Sequence, residues 1–206
     1  VASVRGVIAS RCNAPVDDLT HDIAPFDVFE AAWFLAVASR WWPAETIFVC
    51  VVDPGVGTPR RILAAAREGK FFLAPDNGLL TFIDAERVVS VENASFFLKT
   101  SVTTFHGRDR FAPVAAALAN GTALEDLGPV ISDAVRLGYT PPSYRDDGVA
   151  GTIVHVDRFG NAVTDIERAR IGFDHFSLRV HYSMVTDTRT DYQGGHEPFL
   201  IVGSNG

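Results

Sequence analysis

An apolar run stops at an acid, and two glycines one residue apart and then two cations follow: FVCVVDPGVGTPRR, residues 48–61. Glycine at a strand end lets backbone approach a ligand closely, and ligands of open α/β sheets bind outside the carboxyl ends of the strands. Cations after glycines suggest a phosphate cradle, but Asp53 would repel a phosphate. The stretch also has neither the GxxxxGK[ST] nor the GxGxxG frame, and the residues after it read as a strand, not a helix. What remains is a carboxylate, Asp53, with a guanidinium, Arg60, seven positions on. The same residues also suit an ordinary tight loop closed by an Asp–Arg ion pair.

Three other stretches hold reactive or recognition groups. Thr104-Phe105-His106-Gly107-Arg108-Asp109 places a histidine before a glycine at a strand-to-helix junction, where the ring can be exposed; the alternative is a structural histidine beside an Arg108–Asp109 pair. Asp157-Arg158-Phe159-Gly160-Asn161 offers a carboxylate, an aromatic face and an amide to a polar ligand, and equally a β-turn, which Gly-Asn favours. Ala74-Pro75-Asp76-Asn77-Gly78 reads as a turn, and His21-Asp22 as a loop leading into a helix. His106, Asp109 and Asp53 are metal-ligand types, yet no HxH, HxxxH or cysteine cluster accompanies them, so no metal is expected.

The elements that position these groups follow from periodicity. PFDVFEAAWFLAVASRWW predicts a helix with Asp27 as its cap and Glu30 completing a capping box. It is apolar nearly all round and so is expected to be sandwiched, and Pro43 ends it. TIFVCVV, 46–52, predicts a strand buried on both faces of a parallel sheet, and RRILAAA, KFFLA and RVVSVE predict further strands. A helix is expected to start near Asp109, where an acid complements the helix dipole, and to end at Gly121. GYTPPSYRDDG is the linker candidate, and strands without long helices follow it: GTIVHVD, AVTDI, FSLRVHYS and FLIVGS. The expected organisation is therefore an α/β domain over 1–140 with a mainly parallel central sheet, a linker over 141–149 and a β-rich domain over 150–206.

Bulk properties narrow the function. The 206 residues are 47% hydrophobic and 21% charged, ordinary for a globular protein. A net charge of −7 without a basic run disfavours a nucleic-acid partner, and no apolar run approaches the roughly 20 residues of a membrane span. Cys12 and Cys50 match no metal or redox spacing and read as reduced thiols, pointing to a reducing, cytoplasmic compartment. The chain starts at Val1 and ends in LIVGSNG, so both ends read as cut.

Taken in order, VVDPGVGTPRR, APDNGLL, TFHGRDRFAPVAA and VDRFGNAVTDI resemble the S-adenosyl-L-methionine hydroxide adenosyltransferases, relatives of the enzymes that make fluorinated and chlorinated adenosine. LTHDI-AP-FD and the closing VGSNG fit as well. The resemblance implies an α/β domain followed by a smaller β-barrel-like domain, a homotrimer with ligand bound between subunits, and no metal or other cofactor. It implies conversion of S-adenosylmethionine and water to adenosine and methionine. The family's Asp–Arg–His set matches Asp53, Arg60 and His106; in the halogenating branch a Tyr stands at the Asp53 position. Asp157, Phe159 and Asn161 match ligand-contacting positions, and Ser204 and Asn205 match a region that meets the methionine end. Phe105 and Gly107, on either side of His106, are read with it as substrate contacts.

Departures from the family's pattern accompany the match. A first strand with a TDFG-type motif, whose Asp holds the ribose hydroxyls, and a closing segment that contacts adenine are not in the sequence as given. A chain lacking them is expected to bind ligand poorly. VTDI stands where VTNI is usual. On this reading Asp53 and His106 orient a water and take up its proton, with Arg60 holding Asp53. The sulfonium leaves as a neutral thioether and needs no acid. A halide-using enzyme that makes adenosyl halides and a non-catalytic binder of S-adenosylmethionine or adenosine are the alternatives.

Overall fold

Alternation of side chains on two strands decides the architecture around the Asp53 loop. The structure, a computed structural model, describes residues 1–100, 104–172, 177–193 and 198–203. It comprises two compact units, Val1–Gly138 and Tyr139–Gly206. In the first, a four-stranded sheet is built from β1 (Ile47–Val49), β2 (Ile62–Arg67), β3 (Lys70–Pro75) and β4 (Arg87–Ser90), in the order β1-β3-β2-β4. Leu63 and Ala65 of β2, with Phe72 and Ala74 of β3, face a layer that includes Ala31, Leu35 and Ala36. Ile62, Ala64 and Leu73 face the opposite layer, with Phe111, Val114 and Leu118. Successive strand residues point to opposite faces, so a sheet covered on both sides needs consecutive apolar residues, as Ile62–Ala66 of β2 and Phe71–Pro75 of β3 provide.

The helices supply the layers. α1 (Ala2–Ala9), which the sequence reading did not assign, packs through Ile8 on Ala112 and Ala116 of α3 (Ala112–Ala119). The long apolar helix is α2 (Val28–Ser39), and none of its residues is exposed, as expected of a sandwiched helix. Asp27 Oδ1 accepts from Glu30 N at 2.8 Å. Glu30 Oε2 reaches past the cap residue to Ala24 N, at 2.9 Å, so the box closes one turn further upstream than expected. At the end of α3, Gly121 has φ 88° and its N–H bonds Leu118 O, while Thr122 N bonds Ala117 O. These are the two bonds of a Schellman end.

The sheet is mixed, which corrects the expectation of a mainly parallel one. β1 runs parallel to β3, but β2 is antiparallel to both β3 and β4. The cause is the two-residue connection Glu68-Gly69, with φ 49° and 71°. Two consecutive positive φ values close a tight hairpin, so β2 and β3 cannot run the same way. β1 is also shorter than the run TIFVCVV: after Cys50 N bonds Leu73 O at 2.9 Å the chain leaves the sheet to form the Asp53 loop.

The barrel expected of the second unit is not there either: no sheet closes among the described residues. Three separate two-stranded antiparallel sheets are found, pairing β5 (Ser143–Arg145) with β6 (Gly148–Ala150), β7 (Ile153–Val156) with β8 (Ala162–Thr164), and β9 (Leu178–Val180) with β10 (Ser183–Val185). FSLRVHYS, read as one strand, contains a reversal at His181, φ 53°, and forms parts of both β9 and β10. FLIVGS contributes an isolated bridge from Leu200 to Thr188. Strands of three or four residues, each turned back on its neighbour, do not give the continuous pairing a barrel requires. No helix among the described residues is long and apolar enough to cross a membrane.

Candidate active site

The loop after β1 folds back so that Arg60 meets Asp53. Val56 N bonds Asp53 O at 3.2 Å, and Thr58 bonds Gly55 O through both its N–H, at 3.1 Å, and its hydroxyl, at 2.7 Å. Gly57 has φ 84°, a conformation that favours glycine. Gly55 is under no such demand, since a Cβ there would meet Arg60 Cγ and Thr58 Oγ1 at 3.4 Å, ordinary contact. The result is a forked pair: Arg60 Nε donates to Asp53 Oδ1 at 2.8 Å and Arg60 Nη2 to Asp53 Oδ2. The two side chains are 9% and 4% exposed, so this pair is buried.

The third member arrives from 46 residues on. His106 stands just before a π-helical turn, Gly107–Phe111, that leads into α3; such turns recur at functional sites. Arg60 Nη2 lies 2.8 Å from His106 Nδ1. A guanidinium can only donate, so Nδ1 accepts and the ring's proton sits on Nε2. That Nε2–H is buried and has no partner among the described residues. Burial holds the His106 pKa below its ordinary value, helped by the charges of Arg110 and Arg60 and opposed by Asp53 and Asp109. The set is therefore a carboxylate, a bridging cation and a neutral imidazole that offers one unused donor.

The neighbours divide into supports and bystanders. Asp109 does not act at the helix start in isolation: its carboxylate is gripped by Arg108, at 2.6 and 2.9 Å. Phe105 is exposed and carries the Arg108 guanidinium 5.1 Å from its ring centre. Gly107 and Asp53 both line a cavity of about 1020 Å³ in the first unit, together with Val51, Thr20 and His21. His21 itself pairs with Asp18 at 3.5 Å. Cys50, three residues before Asp53, is no competing nucleophile, because burial pushes its thiol up to about 12. Cys12 and Cys50 are both free thiols. No cluster of three or more His, Cys, Asp or Glu able to hold a metal is found among the described residues.

In the second unit Asp157 is spent on its own turn. Its Oδ1 accepts from Phe159 N at 2.8 Å and Asn161 N at 2.9 Å, and its Oδ2 from Asn161 Nδ2 at 2.7 Å. The side-chain amide of Asn161 and these backbone bonds hold the Asp157 carboxyl below its usual range. Phe159 is left 76% exposed. The aspartate of VTDI is accommodated by donors alone: Thr152 N at 2.7 Å and the Tyr139 hydroxyl at 2.9 Å bond the two oxygens of buried Asp165. Ser204 and Asn205 lie outside the described residues. The structure thus brings Asp53, Arg60 and His106 together, with Phe105 and Gly107 beside the histidine. Asp157, Phe159 and Asn161 are brought together within the second unit.

Comparison with known proteins agrees with the motifs. Residues 1–128 match the model of the SAM hydroxide adenosyltransferase N-terminal domain. An (R)-S-adenosyl-L-methionine hydrolase of Salinispora arenicola is 38% identical over 92% of this chain and 76% of its own. A fluorinase of Actinoplanes is 31% identical over 84% of this chain and 70% of its own. Among solved structures, an uncharacterized conserved protein from Thermotoga maritima superposes with a TM-score of 0.85 at 33% identity, covering 92% of this chain and 78% of the other.

Proposed function

The chain belongs to the SAM hydroxide adenosyltransferase family, and from that premise we propose that it hydrolyses S-adenosyl-L-methionine to adenosine and L-methionine. The observation that carries this reading is the buried Nε2–H of His106, without a partner among the described residues and fixed by the Arg60 bridge to Asp53. A buried donor without an acceptor is costly, and a nucleophilic oxygen supplies the acceptor. Free water is a weak acid, so it must be held and its proton taken. Nδ1 of His106 is occupied and Nε2 already carries a proton, which makes His106 a donor that orients the oxygen. Asp53 then accepts the proton, because each of its oxygens keeps a second lone pair beyond the Arg60 fork. This sharpens the sequence reading, which gave both residues a share in proton removal.

The remaining chemistry follows from the substrate. Water attacks the 5′ carbon in line with the carbon–sulfur bond, the oxygen–carbon bond forms as that bond breaks, and methionine leaves as a neutral thioether. No group has to protonate it. Orientation and exclusion of bulk water supply the rest of the rate. A paired Asp53 carboxylate opposes a halide in the same place, which favours hydrolysis over halogenation. Phe105, Gly107, Asp157, Phe159 and Asn161 are the proposed substrate contacts, within a homotrimer whose sites lie between subunits. The test is chromatography of products from both sulfonium epimers, with and without chloride. Adenosine formed by the parent and lost in Asp53→Asn supports the reading; an adenosyl halide, or unchanged turnover in D53N, overturns it.

A further inference from the structure

The turn Pro75–Gly78 reads locally as a simple reversal, but its two polar side chains leave it in a purposeful direction. Asn77 Nδ2 donates to Val52 O at 2.9 Å, the carbonyl immediately before Asp53. Asn77 Oδ1 accepts from Leu79 N at 3.2 Å, which fixes the amide's orientation. Asp76 holds the other end of the same loop. Its N–H bonds Arg61 O at 3.0 Å, and its Oδ2 accepts from Arg61 Nε at 2.7 Å. That Arg61 carbonyl also accepts from Arg60 Nη1 at 3.3 Å. Asp76 is itself braced, its side chain being 4% exposed and its Oδ1 bonded by Val135 N at 2.8 Å.

We propose that Asp76 and Asn77 are positioning residues: the turn clamps both ends of the 53–60 loop and thereby sets the Asp53–Arg60–His106 geometry. This rests on the reading of that set as the reacting centre. Neither residue touches the reacting atoms. Asn77 fixes where the chain leaves for Asp53, and Asp76 fixes the carbonyl against which the Arg60 guanidinium lies. A loop pinned at one end only would let the arginine fork drift from His106 Nδ1 while Asp53 kept its place. Displacements of an ångström in such a centre are felt in turnover. Asp76 and Asn77 thus tie an eight-residue loop to the rigid β2–β3 hairpin, which is where precise sites are best anchored.

The test compares Asn77→Asp and Asp76→Asn, both nearly isosteric, with Asn93→Asp. Asn93 makes the same kind of contacts in the loop after β4, its Nδ2 donating to Asp126 O at 2.9 Å and its Oδ1 accepting from Ser95 N at 3.2 Å. Turnover of S-adenosylmethionine is expected to fall on the order of 10- to 100-fold in N77D and D76N with KM nearly unchanged, and to stay within about two-fold in N93D. Nitrogen NMR of His106 in the whole chain is read alongside. Loosening of the Arg60 contact moves the Nδ1 signal and raises the pH at which the ring titrates. Unchanged His106 signals and turnover in both clamp variants, or equal changes in N93D, overturn the proposal. If the parent itself makes no adenosine, the hydrolytic reading fails while the NMR comparison still decides the clamp. Where a clamp variant does not fold, Asn77→Ser replaces it. Slow exchange of the Asn77 side-chain amide in the parent is required in every case, and rapid exchange refutes the clamp.

Discussion

Two aspartates, one in each unit, begin short loops rich in glycine, and their partners could hardly differ more. Asp157 is satisfied by its own turn, from residues two and four positions on. Asp53 is satisfied by a cation seven positions on, and that cation reaches a histidine 46 positions further. The first arrangement is what a polar turn does for itself. The second gathers charge from separate parts of the chain into a buried place, at the cost of desolvation, and leaves one donor unused. A locally closed carboxylate explains a shape, whereas a carboxylate closed by distant residues calls for a function.

Removing the bridge breaks this contrast most severely. Arg60→Met leaves Asp53 buried without its cation, and stability is expected to fall by about 3–5 kcal/mol, with adenosine formation lost; denaturant unfolding and initial rates measure both. Asp53→Asn keeps the shape but removes the base, and turnover is expected to drop roughly 10²- to 10⁴-fold in a chain that still folds. On the other side, Asp157→Ala opens a turn, not a reacting centre. It is expected to raise KM about 3- to 10-fold with little change in kcat, and a large fall in kcat would erase the distinction drawn here.

Comparing which parts of the sequence were readable explains why the contrast emerged only in three dimensions. α2, its Asp27 cap and the Gly121 end were legible because helix caps are local chemistry. The Asp53–Arg60 ion pair was legible as a possibility for the same reason. The link to His106 could come only through the family resemblance, since no spacing in a sequence reports a contact between residues 60 and 106. Strand direction failed where it hung on Glu68-Gly69, a short connection whose positive φ values the sequence reading did not weigh. The barrel was implied by the resemblance alone, and the reading of FSLRVHYS as one strand failed at the reversal of His181. α1 was missed because its eight residues carry no side-chain cap or terminal charge to mark them.

The smallest expected effect sharpens the comparison through pH. His106 is buried neutral with its folded pKa below the unfolded value of about 6.5. Its contribution to stability is therefore full above about pH 6.5 and is lost as pH falls through the lower folded value, because the unfolded chain binds the proton first. Thermal unfolding from neutral to mildly acidic pH should show this loss in the parent and a flatter profile in His106→Asn. Asp157, with its carboxyl held low by Asn161, contributes its own loss only at more acidic pH.

The most direct test of the central claim follows the oxygen. The chain is incubated with S-adenosylmethionine in heavy-oxygen water, and adenosine and methionine are analysed by mass spectrometry. The account predicts one heavy oxygen at the 5′ position of adenosine, none in methionine, and product from Asp53→Asn slowed by at least about 100-fold. Adenosine without label, label in methionine, or undiminished product from D53N would contradict it.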